Sequence, residues 1–133
     1  MALIKSSKQL VQEAQQKIEN LSFEEVVTLL GNSNVCFVDI REINEINQYG
    51  TIPGSLHIPR GILEFVVDPE SPYFNAIFQE DMKIILFCRS SWRSALATLA
   101  LQEMGIYQVA HLSGGFDHWV ESGGEILLEN SNS

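Results

Sequence analysis

Cys88 lies between an apolar stretch and a basic loop in the segment LFCRSSWRSALATLALQEMG, residues 86–105. The apolar residues before it are typical of a buried strand, and the pattern from Ser94 onward indicates a helix. The free N–H groups and the positive dipole end at a helix start favour anions, including a thiolate. Arg89 and Arg93 add positive charge to the same loop. The sequence therefore predicts that Cys88 is a nucleophile at neutral pH.

Cys88 also has a structural alternative, and the second cysteine and the histidines have less support as functional residues. Free cysteines are among the most buried residues, so an inert cysteine at the end of a strand is the simpler alternative for Cys88. Cys36 lies within VCFVDI without a basic neighbour, which indicates structural packing. His57, His111 and His118 are too scattered for a metal site, and none is paired with Cys88 by its spacing. No metal is expected.

The chain of 133 residues has the length of a single domain, with 45% apolar and 19% charged residues. It contains no apolar run long enough to cross a membrane and no signal-peptide pattern at its start, so we expect a globular, cytoplasmic protein. Two cysteines do not make a disulfide framework, and both are expected to be free thiols. The net charge of −9 argues against nucleic acid and anionic membranes as partners, although clustered arginines can still form a local anion site.

Four segments have the apolar and β-branched pattern of buried strands. They are VCFVDI (35–40), SLHI (55–58), KIILFC (83–88) and QVAHL (108–112). Helical patterns separate them, and strands that alternate with helices form a mainly parallel sheet through right-handed crossovers. The predicted fold class is therefore α/β, with an open, mainly parallel sheet of four to five strands and helices on both faces. Ligands in such folds gather at the carboxyl ends of the strands.

The chain divides into three parts by its patterns. These are an N-terminal helical extension at 1–20, a domain at 21–125 and a polar tail at 126–133 that is expected to fray. Apolar residues at helical spacing predict a helix from Ser7 to Leu21, capped by Ser6 or Ser7. Its inward-facing residues are expected to be Leu10, Ala14, Ile18 and Leu21. The segment SFEE at 22–25 has the spacing of a capping box and predicts a short second helix.

Charged residues also follow the other predicted strands. Asp39, Arg41 and Glu42 come at the end of the first strand, where an ion pair that fixes the local loop is favoured over a role in binding. Arg60 follows the second strand and could line an anion pocket or pair with an acidic residue. We favour the pocket for Arg60.

The loop around Cys88 resembles a known active-site motif. CRSSWRS is similar to the C-x-x-G-x-R-S loop of rhodanese-domain sulfurtransferases, with Cys88, Arg93 and Ser94 in matching positions. Three further segments occur in the order of that family: VDIREINEI (38–46), GTIPGSLHIPRG (50–61) and LSGGFDHWVESGG (112–124). The resemblance spans about residues 21 to 124 and is closest to single-domain bacterial members.

Two positions depart from the pattern of that family. Ser91 stands where the loop usually has glycine, and Thr51 stands where the segment GHIPG usually has histidine. A residue other than glycine at a positive φ costs roughly 1–2 kcal/mol, so Ser91 is expected to strain the loop if the loop needs that conformation.

The resemblance implies a sulfurtransferase that needs no metal or organic cofactor. Cys88 would attack the outer sulfur of a small anionic donor such as thiosulfate, hold that sulfur as a persulfide and pass it to a thiol or protein acceptor. The residues expected to bind the donor are Arg60 and those of the loop: Arg89, Ser90, Ser91, Trp92, Arg93 and Ser94. Arg93 could instead be a scaffold of the loop, and Trp92 could be either a wall of the pocket or a packed surface residue.

Two other classes of function stay open. Cysteine phosphatases and arsenate reductases also place a nucleophilic cysteine in an anion-binding loop, but their loops resemble C-x5-R, whereas Cys88 and Arg93 are spaced C-x4-R. The smaller loop favours sulfur over a tetrahedral phosphoryl group. A rhodanese-like domain can also be a non-catalytic binding or regulatory module, and the presence of Cys88 argues against that alternative.

Overall fold

A parallel sheet forms the centre of the computed structural model, which describes residues 1–78 and 81–128. Its five strands are β1 (Glu19–Leu21), β2 (Val35–Asp39), β3 (Leu56–His57), β4 (Lys83–Phe87) and β5 (Val109–Leu112). They lie in the order β1-β5-β4-β2-β3, and every pairing between neighbours is parallel. The prediction of an open, mainly parallel sheet is confirmed, and each of the four predicted strands lies within one residue of its expected limits.

Helices cover both faces of this sheet, as predicted. They are α1 (Ser7–Lys17), α2 (Phe23–Leu29), α3 (Ile43–Tyr49), α4 (Leu63–Val67), α5 (Trp92–Glu103) and α6 (Gly115–Glu121), with a 3-10 helix at Arg60–Ile62. On one face Ala97 of α5 shares an apolar cluster with Leu86 of β4, and on the other Trp119 of α6 shares a cluster with Ile85. No helix in the described part of the chain is long and apolar enough to cross a membrane.

The first helix is shorter than predicted. α1 ends at Lys17 instead of Leu21, and the residues after it form β1, which extends the sheet beside β5. The side-chain amide of Asn20 donates to the carbonyls of Gln15 and Ile18 at 2.9 and 3.1 Å, which satisfies groups that the end of a helix leaves free. The prediction was wrong because apolar residues at helical spacing also fit a helix that is followed by a short strand, of which only Leu21 is buried.

α1 packs against α5. Val11 and Ala14 are buried with Ala95 of α5 in a small apolar cluster. Leu10 was expected to face inward, but it is exposed, because the face that meets α5 is centred one residue further along the helix. The first turns of α5, which follow the candidate loop, are therefore supported from outside by α1.

The structure confirms two predicted helix caps and changes one predicted start. The side chains of Ser6 and Ser22 cap α1 and α2. α5 begins at Trp92, two residues before the predicted start at Ser94, because the chain turns sharply at Ser91. The short helix α4 was not predicted.

The chain beyond the last helix returns to the segment between α3 and β3. Leu127 forms an isolated antiparallel bridge with Thr51, with N–H to O distances of 2.8 and 2.9 Å in the two directions. The chain is therefore held as far as Leu127. The remainder of the tail that was expected to fray, residues 129–133, lies outside the described residues.

Candidate active site

The thiol of Cys88 lies at the start of α5. Cys88 directly follows β4 and is fully buried. The backbone N–H of Ser94 donates to Cys88 Sγ at 3.3 Å. A hydrogen bond from an N–H group favours the thiolate over the thiol, and the positive end of the α5 dipole acts in the same direction. This arrangement can hold a sulfur anion at the carboxyl end of β4.

Ser91 gives the loop a strained backbone. Its φ of 81° and ψ of −3° lie in the left-handed region, and within residues 1–78 and 81–128 it is the one residue other than glycine with a positive φ. The carbonyl of Ser91 accepts the backbone N–H of Ala95 at 3.0 Å, which starts α5. The conformation that the glycine of the resembling motif suggests is therefore present, at a cost of roughly 1–2 kcal/mol.

We expect the Ser91→Gly variant to be more stable than the parent chain. Glycine removes the cost of the positive φ, roughly 1–2 kcal/mol, and loses about 0.5–1 kcal/mol through the greater entropy of the unfolded chain. The net rise in the free energy of unfolding, measured by urea denaturation, is up to about 1.5 kcal/mol. Ser90→Gly, one residue earlier, is the matched control and should lose stability. A loss in both variants would contradict strain at Ser91.

The start of α6 is built closely against the loop. The backbone N–H groups of Phe116 and Asp117 donate to the carbonyls of Cys88 and Arg89 at 2.8 and 3.0 Å. Gly115 has a φ of 65°, and a Cβ atom placed on it would lie 2.5 Å from the Arg89 carbonyl oxygen. Glycine is therefore required at this position, both for the backbone conformation and for the close approach to the loop.

Arg89 and Arg93 each have a carboxylate partner. Two hydrogen bonds from the Arg93 guanidinium to Glu45, at 2.9 and 3.0 Å, join the start of α5 to α3. Arg89 pairs with Asp117 of α6 at 3.2 Å on the exposed surface. Both arginines were expected to attract an anionic donor, but these carboxylates offset much of the positive charge that they bring. The geometry of Arg93 fits the alternative in which it is a scaffold of the loop.

The pair between Arg93 and Glu45 predicts an acid-sensitive part of the stability. Hydrogen bonding to Arg93, with a further bond from the backbone N–H of Glu42, lowers the pKa of Glu45 from 4.5 to about 2. Because the folded pKa is depressed, the stabilisation is complete above about pH 4.5 and is lost as the pH falls toward 2. We expect Glu45→Gln to lower the free energy of unfolding by about 1–2 kcal/mol at neutral pH, after allowance for solvent screening, and by much less near pH 2.

Urea denaturation of the parent chain and of Glu45→Gln across this pH range measures that difference. Glu24→Gln is the matched control, because Glu24 is an exposed residue of α2 and its substitution changes the net charge without breaking an ion pair of the loop. A difference between Glu45→Gln and the parent chain that does not change with pH would contradict the assignment.

Asp39 and Arg41 form a buried ion pair close to α6. Arg41 donates two side-chain hydrogen bonds to the Asp39 carboxylate at 3.0 and 2.7 Å, and the Thr51 hydroxyl donates a third at 2.7 Å. The Arg41 guanidinium lies 4.3 Å from the centroid of the Phe116 ring. The backbone of Phe116 in turn binds the carbonyl of Cys88. This geometry agrees with a scaffold role for Asp39 and Arg41, and it makes Thr51 a partner of Asp39.

The fold and the loop geometry agree with a match to one protein family. Residues 22–122 match the rhodanese-like domain. The chain belongs to the rhodanese-like domain family. The matched region contains the whole loop from Cys88 to Ser94, the buried ion pair of Asp39 and Arg41, and the start of α6.

Sulfurtransferases are among the relatives of this rhodanese-like domain. The human thiosulfate:glutathione sulfurtransferase is 29% identical over 107 residues, which cover 76% of this chain and 92% of the human protein. A sulfurtransferase from Allochromatium vinosum is 32% identical over 95 residues, which cover 71% of this chain and 80% of the relative. These relatives support sulfur transfer in general as the activity.

Two solved structures share the fold of this rhodanese-like domain. A human single-domain sulfurtransferase has 28% sequence identity and a TM-score of 0.67, with 79% of this chain and 97% of that chain covered. A protein of unknown function from Rhodopseudomonas palustris, described as a possible tyrosine phosphatase, has 43% identity and a TM-score of 0.90, with 96% and 98% covered. The first agrees with sulfur transfer, and the second makes phosphatase activity a candidate to be tested.

The remaining predicted site residues are exposed or pair with a residue outside the loop of Cys88. Ser90 is exposed on the loop, and Trp92 at the start of α5 is 51% exposed. Glu42 is exposed at the residue before α3. The guanidinium of Arg60 pairs with Glu64 of α4 at 2.8 Å, so no described contact brings it to the loop.

His111 is a buried residue that the sequence analysis did not connect to the loop. Its Nδ1 lies 2.8 Å from Ser94 Oγ and its Nε2 lies 2.7 Å from Asn20 Oδ1. Burial lowers the pKa of His111 to about 4, so the ring is neutral at physiological pH. No motif could have revealed this contact, because the three residues come from distant parts of the chain. Among the residues that the structure describes, no group of three or more histidine, cysteine or acidic side chains is placed to hold a metal ion.

Proposed function

We propose that this chain is a sulfurtransferase that moves sulfane sulfur from thiosulfate or a related donor to a thiophilic acceptor through a persulfide on Cys88. The observation that carries the proposal is the hydrogen bond from Ser94 N–H to Cys88 Sγ at the start of α5. A hydrogen bond from an N–H group favours the thiolate, which is the nucleophilic form of cysteine, and the same N–H group suits the anionic sulfur of a persulfide.

The proposed reaction has two displacement steps at sulfur. The Cys88 thiolate attacks the outer sulfur of thiosulfate, the sulfur–sulfur bond of the donor breaks, and sulfite leaves with the electron pair. The enzyme then carries a Cys88 persulfide anion. An acceptor thiolate attacks the outer sulfur of that persulfide, the new sulfur–sulfur bond of the enzyme breaks, and the Cys88 thiolate is restored. No electrons are left over, so no cofactor is needed.

Access to Cys88 requires a movement of the loop. Because Cys88 is fully buried, a donor cannot reach Sγ in the closed arrangement. Arg89 follows Cys88 directly in the loop, and its exposed pair with Asp117 stabilises the protein by only about 0–1 kcal/mol, so this pair opposes such a movement weakly. We therefore include a loop opening before each displacement step in the proposal.

The donor and acceptor classes follow the names of the relatives. The human relative is a thiosulfate:glutathione sulfurtransferase, which pairs a small dianionic donor with a small thiol. We propose the same classes here, a small anionic sulfur donor and a thiol or protein acceptor. Both cysteines are free thiols in the structure, and thiols stay reduced in a compartment such as the cytoplasm, which we include in the proposal.

A phosphatase is the second candidate, and the R. palustris neighbour is the observation that favours it. Phosphoryl transfer needs an arginine directed at the anion to stabilise the charge on its equatorial oxygens. Here both terminal nitrogens of Arg93 donate to Glu45, so the guanidinium is held against α3. Together with the C-x4-R spacing, this contact supports sulfur over phosphate as the substrate.

Intact-protein mass spectrometry after incubation with thiosulfate tests the proposal. We expect one added sulfur atom that dithiothreitol removes, and no hydrolysis of p-nitrophenyl phosphate by the same preparation. Phosphate release without an added sulfur would favour the phosphatase. The absence of both would favour a binding or regulatory module.

A further inference from the structure

His111 connects the edge of the sheet to the start of α5. It lies on β5 directly opposite Asn20 of β1, and its side chain is fully buried. Its Nδ1 faces Ser94 Oγ at 2.8 Å, and its Nε2 faces Asn20 Oδ1 at 2.7 Å. Ser94 also donates its backbone N–H to Cys88 Sγ. A continuous series of hydrogen-bonded residues therefore leads from β1 to the candidate nucleophile.

The direction of each hydrogen bond follows from Asn20. Its side-chain NH2 donates to the carbonyls of Gln15 and Ile18, so the oxygen that faces His111 can only accept. The Nε2 of His111 therefore carries the hydrogen. Because the buried ring is neutral, Nδ1 is an acceptor, and the Ser94 hydroxyl must donate to it.

The single hydroxyl hydrogen of Ser94 is thereby given to His111. Ser94 Oγ also lies 3.3 Å from the Ser91 carbonyl oxygen, but the hydroxyl has only one hydrogen, and the shorter contact, at 2.8 Å to His111 Nδ1, takes it. The side chain of Ser94 is therefore held by His111 and not by the loop itself. The same residue carries the N–H group that points at Cys88.

We propose that His111 is a positioning residue for the Cys88 thiolate, because it accepts the hydroxyl hydrogen of Ser94 and so keeps the Ser94 N–H directed at Cys88 Sγ. The consequence for catalysis rests on the proposed function, whereas the effect on the thiolate exists without any sulfur donor. A merely structural role would act instead through Asn20, which ties β5 to β1.

Two substitutions of His111 separate these roles. Asparagine places a polar atom near the position of Nδ1, and glutamine places one near the position of Nε2, because of the number of bonds from the backbone. His111→Asn therefore keeps an acceptor for Ser94 and gives up the bond to Asn20, while His111→Gln does the reverse. The readout is the ultraviolet absorbance of the Cys88 thiolate, with the spectrum of the Cys88→Ser variant subtracted.

We expect a clear split between the two variants at the pH where the parent chain has half of its maximal thiolate signal. Loss of one hydrogen bond lowers the ratio of thiolate to thiol about fivefold. At this pH the parent ratio is one, so the thiolate fraction falls from one half to about one sixth. His111→Gln should therefore keep about one third of the parent signal. His111→Asn should keep most of it. The thiolate signal of Ser94→Ala should be as low as that of His111→Gln. The double variant that combines these two substitutions should show no further loss of signal, because both substitutions break the same contact.

Three results would overturn the proposal: a parent-like signal in His111→Gln, a loss in His111→Asn alone, or additive losses in the double variant. If circular dichroism shows that the His111 variants do not fold, Ser94→Ala decides, because an unchanged signal there overturns the proposal as well. Failure of the proposed function is seen separately, as a parent chain that forms no persulfide but still shows these differences in thiolate signal.

Discussion

Replacement of Cys88 by serine is expected to abolish sulfur transfer, while replacement of Cys36 by serine leaves most of it. Both thiols are buried, so exposure does not distinguish them. What distinguishes them is the N–H group of Ser94, which donates to Cys88 Sγ. Burial without such a donor raises the pKa of Cys36, which lies within β2, and keeps it a thiol. A serine at position 88 cannot form a persulfide.

The measurement is the amount of removable sulfur on each variant after thiosulfate, together with the rate of transfer to a thiol. Circular dichroism and urea denaturation of both variants are the controls, because a hydroxyl at position 36 enters an apolar cluster and can cost about 1–3 kcal/mol of stability. Equal loss of transfer in two folded variants would contradict the assignment of Cys88 as the nucleophile.

The class of the sheet, open and mainly parallel, could be predicted because its central strands are largely apolar runs. The segments that form β2, β4 and β5 are each bounded by polar or turn residues. Short apolar runs of this kind are typical of strands that are buried on both faces of a parallel sheet. β1 could not be separated from α1 in the same way. Its three residues continue a helical spacing, and only the pairing with β5 identifies them as a strand.

The geometry around Cys88 could be predicted in part because it depends on local order along the chain. A strand, a tight loop and a helix in succession place the N–H groups of the helix start at the cysteine whatever the rest of the fold does. The positive φ of Ser91 was expected for a different reason, because the resembling loop has glycine at that position.

The partners of the arginines could not be predicted, because they lie far away in sequence. Glu45 is 48 residues from Arg93, and Asp117 is 28 residues from Arg89. The net charge around the loop is therefore lower than the charge of the loop residues alone, because these two carboxylates come from other elements. The same limit applies to His111, which reaches Ser94 from another strand.

The Gly115→Ala variant is expected to lose both stability and sulfur transfer. A Cβ atom at this position would lie 2.5 Å from the Arg89 carbonyl oxygen and 2.7 Å from that of Cys88. The loop and α6 would have to separate, which breaks the hydrogen bonds from Phe116 and Asp117 to these carbonyls. With the added cost of the positive φ, we expect a loss of about 3 kcal/mol in the free energy of unfolding.

Gly31→Ala is the matched control for this prediction. Gly31 also has a positive φ, of 80°, but no atom lies within 4 Å of the position that its Cβ would take. This variant therefore has only the backbone cost, roughly 1–2 kcal/mol, which the lower entropy of its unfolded chain offsets by about 0.5–1 kcal/mol, and it should keep the parent transfer rate. Gly115→Ala should transfer sulfur at least about tenfold more slowly even where it is fully folded, because the carbonyl of the nucleophile itself is displaced. If the two alanine variants lose the same stability and both keep the parent rate, the contact between α6 and the loop does not position Cys88.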